Sequence, residues 1–114
     1  MEKEDWKIPL YKIYTDDEDV NLITKIIKRG NQWALGPEIE EFENELKKYI
    51  GVDYCLTLNS GTSALHAALL SDNIGSDDNV IMPSFSFIAT ANSVLFVNAE
   101  ANFADIEDIT YGLD

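Results

Sequence analysis

Apolar positions along this chain follow two periods, and the change falls near Gly51. Over residues 16–29, Val20, Ile23 and Ile27 share one helical face, with Leu22 and Ile26 flanking it. Asp16 or Asp17 can cap this helix, and Gly30 ends it as a left-handed residue would. Residues 31–36 form a loop carrying Trp33. Pro37 then opens a second helix to Ile50, with Ile39, Phe42, Leu46 and Ile50 at helical spacing. Ahead of both, residues 2–14 alternate weakly and read as an extended arm whose Ile8, Leu10 and Ile13 dock elsewhere. Past Gly51 the pattern becomes strand, helix, strand, helix, strand. The strands are residues 54–58, 79–82 and 101–106; the helices are residues 62–71 and 86–97. Short apolar strands joined by such helices imply right-handed crossovers and parallel pairing. The expected fold class is therefore α/β, a parallel β-α-β-α-β core behind N-terminal helices, with helices covering at least one face of the sheet.

Composition narrows the picture. The chain has 114 residues, 46% of them hydrophobic, enough for one modest core. With 21 acidic against 8 basic residues its net charge is −13, which argues against a nucleic-acid partner or an anionic membrane surface. Lys25, Lys28 and Arg29 make the only basic cluster, placed where cations complement the C-terminal end of a helix dipole. The single cysteine, Cys55, excludes an internal disulfide and a cysteine-based metal site, and its apolar strand reads as core. No metal site is expected. The charged start and the lack of a long apolar run make the cytoplasm the default location. Three parallel strands leave both sheet edges open, and no closing helix follows residues 110–114. The chain thus reads as a piece of a larger α/β domain, with self-association, a dimer for instance, expected of the piece alone.

The candidate chemistry begins at Asn59-Ser60-Gly61-Thr62-Ser63-Ala64-Leu65-His66, between an apolar strand and a strong helix former. A small, hydroxyl-rich turn there exposes backbone N–H groups at the positive end of a helix dipole. That suits a phosphate, and it equally suits an ordinary N-cap made by Asn59, Ser60 or Thr62. His66 lies one turn inside the helix with no evident carboxylate partner, so packing or capping is favoured over general-base chemistry. No G-x-G-x-x-G follows any strand, which disfavours a dinucleotide-binding fold.

Two further motifs accompany this one: Trp33-Ala34-Leu35-Gly36-Pro37-Glu38 with Phe42, and Met82-Pro83-Ser84-Phe85-Ser86-Phe87-Ile88-Ala89-Thr90. In order and spacing, together with Phe103-Ala104-Asp105-Ile106 and Thr110-Tyr111-Gly112-Leu113-Asp114, they resemble the opening of a DegT-type sugar-nucleotide aminotransferase. These are fold-type I pyridoxal-phosphate enzymes. The resemblance implies the start of an aspartate-aminotransferase-like large domain. Residues 1–30 would be an N-terminal arm and helix, and residues 31–114 the first part of the cofactor-binding domain. It implies pyridoxal 5′-phosphate as cofactor, glutamate as amino donor and a nucleotide-linked keto-sugar as acceptor. By similarity, Gly61 and Thr62 would hold the cofactor phosphate with Ser63 close by, and Phe87 would stack on the pyridine ring. Phe85, one pleat away, reads as core. Asn31, Gln32, Trp33 and Ala34 match the loop that meets the sugar nucleotide, where Trp33 either stacks or covers core; Asn92 is a further polar candidate. The departure is one of length. The family's Schiff-base lysine and the acid that pairs with the ring nitrogen lie beyond the matched region. None of Lys3, Lys7, Lys12, Lys25, Lys28, Lys47 or Lys48 stands at a matching position. No catalytic residue is assigned in this chain, and alone it is not expected to transaminate. A non-catalytic phosphate- or nucleotide-binding module, or an oligomeric structural protein, remain alternatives.

Overall fold

Helix α1, Asp17–Arg29, is set by its ends. The Asp16 side chain accepts from the N–H groups of Glu18 and Asp19, and Asp19 returns a bond to the Asp16 N–H, closing a capping box. Lys28 and Arg29 lie in the last turn, and Gly30 turns left-handed at φ 77°. Helix α2, Pro37–Ile50, has Glu38 and Glu40 in its first turn, Lys47 and Lys48 in its last, and Gly51 at φ 80° after it. These elements are therefore fixed locally, by caps and dipole-complementing charges. The structure, a computed structural model, describes Ile8 and residues 11–114. It divides into two compact units, one ending at Asn44 and the other spanning Glu45–Asp114.

In the second unit, α3 (Gly61–Ser71), β1 (Asn79–Pro83), α4 (Ala89–Phe96) and β2 (Glu100–Ala104) follow in order. β1 and β2 pair in parallel, Asn79 opposite Glu100 through Pro83 opposite Ala104, so α4 is a crossover connection. The ladder is extended at both ends by Glu100 N–H to the Asp78 carbonyl and Ser84 N–H to the Ala104 carbonyl. Met82, Val94, Val97 and Ala99 form the buried centre, with Leu69, Ile74, Val80, Ala91 and Ala101 packed around it. Helices α3 and α4 pack together, and the His66 and Phe96 rings meet at 5.4 Å. His66 is thus a packing residue. Asn73 and Asn98 take the positive φ that the turns after α3 and α4 need, a conformation asparagine tolerates better than most residues.

The α/β class and the parallel strand–helix–strand arrangement are as expected, but several elements differ. Residues 54–58 form no strand. Cys55 and Thr57 are half-buried while Tyr54, Leu56 and Leu58 are exposed. The alternation of a strand is present, but a ladder needs a neighbour, and the sheet is β1–β2 alone among the described residues. Cys55 is accordingly not core. The last strand ends at Ala104, and Ile106 instead bridges antiparallel to Leu113. Helix α4 starts at Ala89 rather than residue 86, with Ile88 as an N-cap that makes no side-chain capping bond. Phe85 is 72% exposed and lies against Tyr111, not in the core. Ile8 and Ile13 are exposed rather than docked, while Leu10 lies outside the described residues.

Candidate functional site

The Asn59–Ser63 turn shows how the sequence builds a donor-rich helix start. Ser60 is extended (φ −160°, ψ 154°), and its Oγ accepts the Ser63 N–H at 3.1 Å. The Ser60 hydroxyl donates to Ser63 Oγ, which in turn donates to Asn59 Oδ1 at 3.1 Å. The Ser60 carbonyl takes the Ala64 N–H. Asn59, Ser60 and Ser63 are therefore occupied with capping. The N–H groups of Gly61 and Thr62 are left without an intrahelical acceptor, as at any helix start. The Thr62 hydroxyl also has no hydrogen-bond partner among the described residues. No acidic side chain stands in the first turn of α3, so nothing there competes for an anion.

Gly61 and Thr62, which carry these donors, line a cleft of about 570 Å³ together with Ala64, Leu65, Phe87, Ala89 and Thr90. Gly61 has a negative φ, and a Cβ added there would meet no atom within 4 Å. Neither backbone strain nor packing asks for glycine at this position, whereas a ligand approaching the backbone would. Phe87 is 77% exposed on the segment leading into α4, an orientation with no packing purpose in this unit. Beyond it, the Ser86 and Thr90 hydroxyls share a hydrogen bond of 2.8 Å. The lining thus combines anion donors, an aromatic ring and apolar side chains.

The structure brings Gly61, Thr62 and Phe87 to the same cleft; Ser63 is not on its wall, and neither is Asn92. Leu65 and Thr90 were not singled out from the sequence. The signal was there: Leu65 follows Thr62, and Thr90 follows Phe87, by one helical turn.

Asn31, Gln32, Trp33 and Ala34 belong to the other unit and are exposed, Trp33 by 66%, so the tryptophan covers no core. Gln32 takes a positive φ of 52°. The sequence reading placed Arg29 in a dipole-facing cluster, but its guanidinium reaches further. It forms a two-pronged pair with the Glu38 carboxylate at 2.6 and 3.1 Å and bonds the carbonyls of Asn31 and Gln32. That guanidinium, more than any other charge, holds the Glu38 carboxyl below its usual range. Among the described residues no cluster of His, Cys, Asp or Glu fits a metal, and no helix is long and apolar enough to cross a membrane.

Known proteins resemble the chain closely. The model of the DegT/DnrJ/EryC1/StrS aminotransferase family matches residues 14–114. The UDP-2-acetamido-2-deoxy-3-oxo-D-glucuronate aminotransferase of Pseudomonas aeruginosa is 37% identical over 92 residues, covering 81% of this chain and 25% of that protein. The 3-oxo-glucose-6-phosphate:glutamate aminotransferase of Bacillus subtilis is 34% identical over 110 residues, covering 94% of this chain and 25% of that protein. The crystal structure of a DegT DnrJ EryC1 StrS aminotransferase from Brucella abortus aligns with a TM-score of 0.77 at 37% identity, over 86% of this chain and 26% of the other. The chain spans about a quarter of the length of the relatives it matches.

Proposed function

The chain belongs to the DegT/DnrJ/EryC1/StrS family of pyridoxal-phosphate-dependent sugar aminotransferases, and from that premise we propose that it is the first part of a cofactor-binding large domain. The enzyme so completed would move an amino group from glutamate to a nucleotide-linked keto-sugar, in the cytoplasm and as a homo-oligomer. A relative named for glutamate and another named for a UDP-sugar support the two substrate classes.

The observation that carries this reading is that Thr62 and Phe87 line one cleft. The residues present fit pyridoxal 5′-phosphate. The N–H groups of Gly61 and Thr62 and the Thr62 hydroxyl would hold its phosphate, an anion at a helix N-terminus. The open space above Gly61 admits the phosphate to the backbone. Phe87 would stack on the ring and keep water from one of its faces. Ser63 would act indirectly, holding the Asn59–Ser60 turn through its own bonds. When bound, the cofactor supplies the electron sink for amino transfer; this part of the protein supplies its seat and orientation. Asn31, Gln32, Trp33 and Ala34 would meet the sugar nucleotide.

Among the described residues no lysine lies on the cleft wall, so the 114 residues alone would hold the cofactor without a covalent bond and would not transaminate. The test is titration of pyridoxal 5′-phosphate into the chain, read by phosphorus NMR and by dialysis. Saturable binding that dialysis removes is expected. Thr62→Ala should weaken it about tenfold or more, the loss of a hydrogen bond to a charged group. Phe87→Ala should weaken it as well. Equal affinity in the wild type and both variants would overturn the assignment.

A further inference from the structure

The loop between α1 and α2 is held by one side chain. Arg29 Nε donates to the Asn31 carbonyl at 3.2 Å, and Nη2 donates to the Gln32 carbonyl at 2.8 Å. Nη1 and Nη2 together grip both oxygens of Glu38 in the first turn of α2, and both side chains are only 26% exposed. A planar fork can satisfy these acceptors at once; an ammonium cannot. Gly36 closes over the knot. A Cβ there would strike the Glu38 carboxylate and lie 2.5 Å from Arg29 Nη2 and 2.7 Å from the Gln32 carbonyl. Gln32, whose carbonyl the fork holds, is at positive φ, a conformation its side chain does not favour. Meanwhile Trp33 and Leu35 point outward, 66% and 84% exposed, so apolar packing does little to order the loop.

We infer that Arg29 is the positioning residue of this loop: its guanidinium sets the course of the backbone from Asn31 to Gly36, and thereby where Asn31, Gln32, Trp33 and Ala34 meet a nucleotide-linked ligand. The inference rests on the reading of residues 31–34 as the substrate loop. Glu38 and Gly36 complete the device, one as the anchor on α2 and the other as the position that leaves it room.

Amide NMR on the 114-residue chain tests it, with UDP as probe. In Arg29→Lys, which keeps the charge and loses the fork, the backbone order parameters of residues 31–35 should fall from about 0.85 to below about 0.6. Gly36→Ala should do the same through steric overlap. The amides in the middles of α1 and α2 should keep their positions in both variants, which excludes unfolding. UDP should shift the amides of residues 31–35 in the wild type. In Arg29→Lys its affinity should fall about tenfold, the loss if the freed loop holds its binding shape about a tenth of the time. The response of the Thr62 amide to pyridoxal 5′-phosphate should be unchanged. An ordered loop or undiminished UDP affinity in Arg29→Lys overturns the inference. UDP shifting no loop amide in the wild type overturns it too, by removing the loop's substrate role, and leaves the cofactor reading at Thr62 and Phe87 standing.

Discussion

Thr62 lies in the first turn of α3 and Phe87 stands just ahead of α4, yet both line one cleft, and Gly61 lines it with them. The relationship follows from α3 packing against α4, which brings the two helix starts to the same side of the unit. It makes Gly61 a position where binding and folding separate. Gly61→Val places a side chain in the cleft without meeting any protein atom within 4 Å of its Cβ. The expected outcome is a thermal midpoint within a few degrees of wild type and loss of phosphate-dependent cofactor binding. Calorimetric titration beside a melting curve checks both.

His66 and Phe96 join the two helices at 5.4 Å with a 60° tilt, an edge-to-face range for ring pairs. A double-mutant cycle with His66→Ala and Phe96→Ala should give a coupling of about 0.5–1 kcal/mol in chemical denaturation. A coupling near zero would show that the helices are held by other contacts. A cofactor affinity that falls only in step with stability would fit a packing role for His66.

Met82 is the buried side chain of β1, packed with Val94, Val97 and Ala99. Met82→Ala should cost about 2–5 kcal/mol, cavity included. In a unit with so small a buried centre that is enough to shift the denaturant midpoint sharply or to unfold the chain. Ile81→Ala on the same strand removes a side chain that is 66% exposed and should change the midpoint little.

Glu107 gives the chain an acid-sensitive turn. The Thr110 hydroxyl and then the Ile109 N–H are the main donors to its carboxylate, which is held down from 4.5 to about 2. A depressed acid stabilises the fold above its unfolded pKa, and that contribution is lost as pH falls through the folded value. The turn should therefore be intact above about pH 4.5 and loosen between there and pH 2. The ring contact of Phe85 with Tyr111, at 6.2 Å, is the reporter, followed by NMR on acidification. Glu107→Gln should weaken the same contact at neutral pH.

What the sequence determined by itself was whatever is settled within a few residues. The limits of α1, α2 and α3 were legible because Asp16, Ser60, Gly30, Pro37 and Gly51 act on their own backbone neighbours. The motifs around Gly61 and Phe87 were legible for the same reason, each being a local turn into a helix start. Only the tertiary structure decided features that need a distant partner. Residues 54–58 carry a strand's alternation and still form no strand, because sheet hydrogen bonds require a neighbour that the β1–β2 pair does not provide. Phe85 took its place from Tyr111, far along the chain. Arg29 looked like one of three dipole-facing cations until Glu38, the Asn31 and Gln32 carbonyls and the clearance at Gly36 met around it. Periodicity and capping are short-range physics that a string of letters records; which donor finds which acceptor across a loop depends on where the backbone has already been brought.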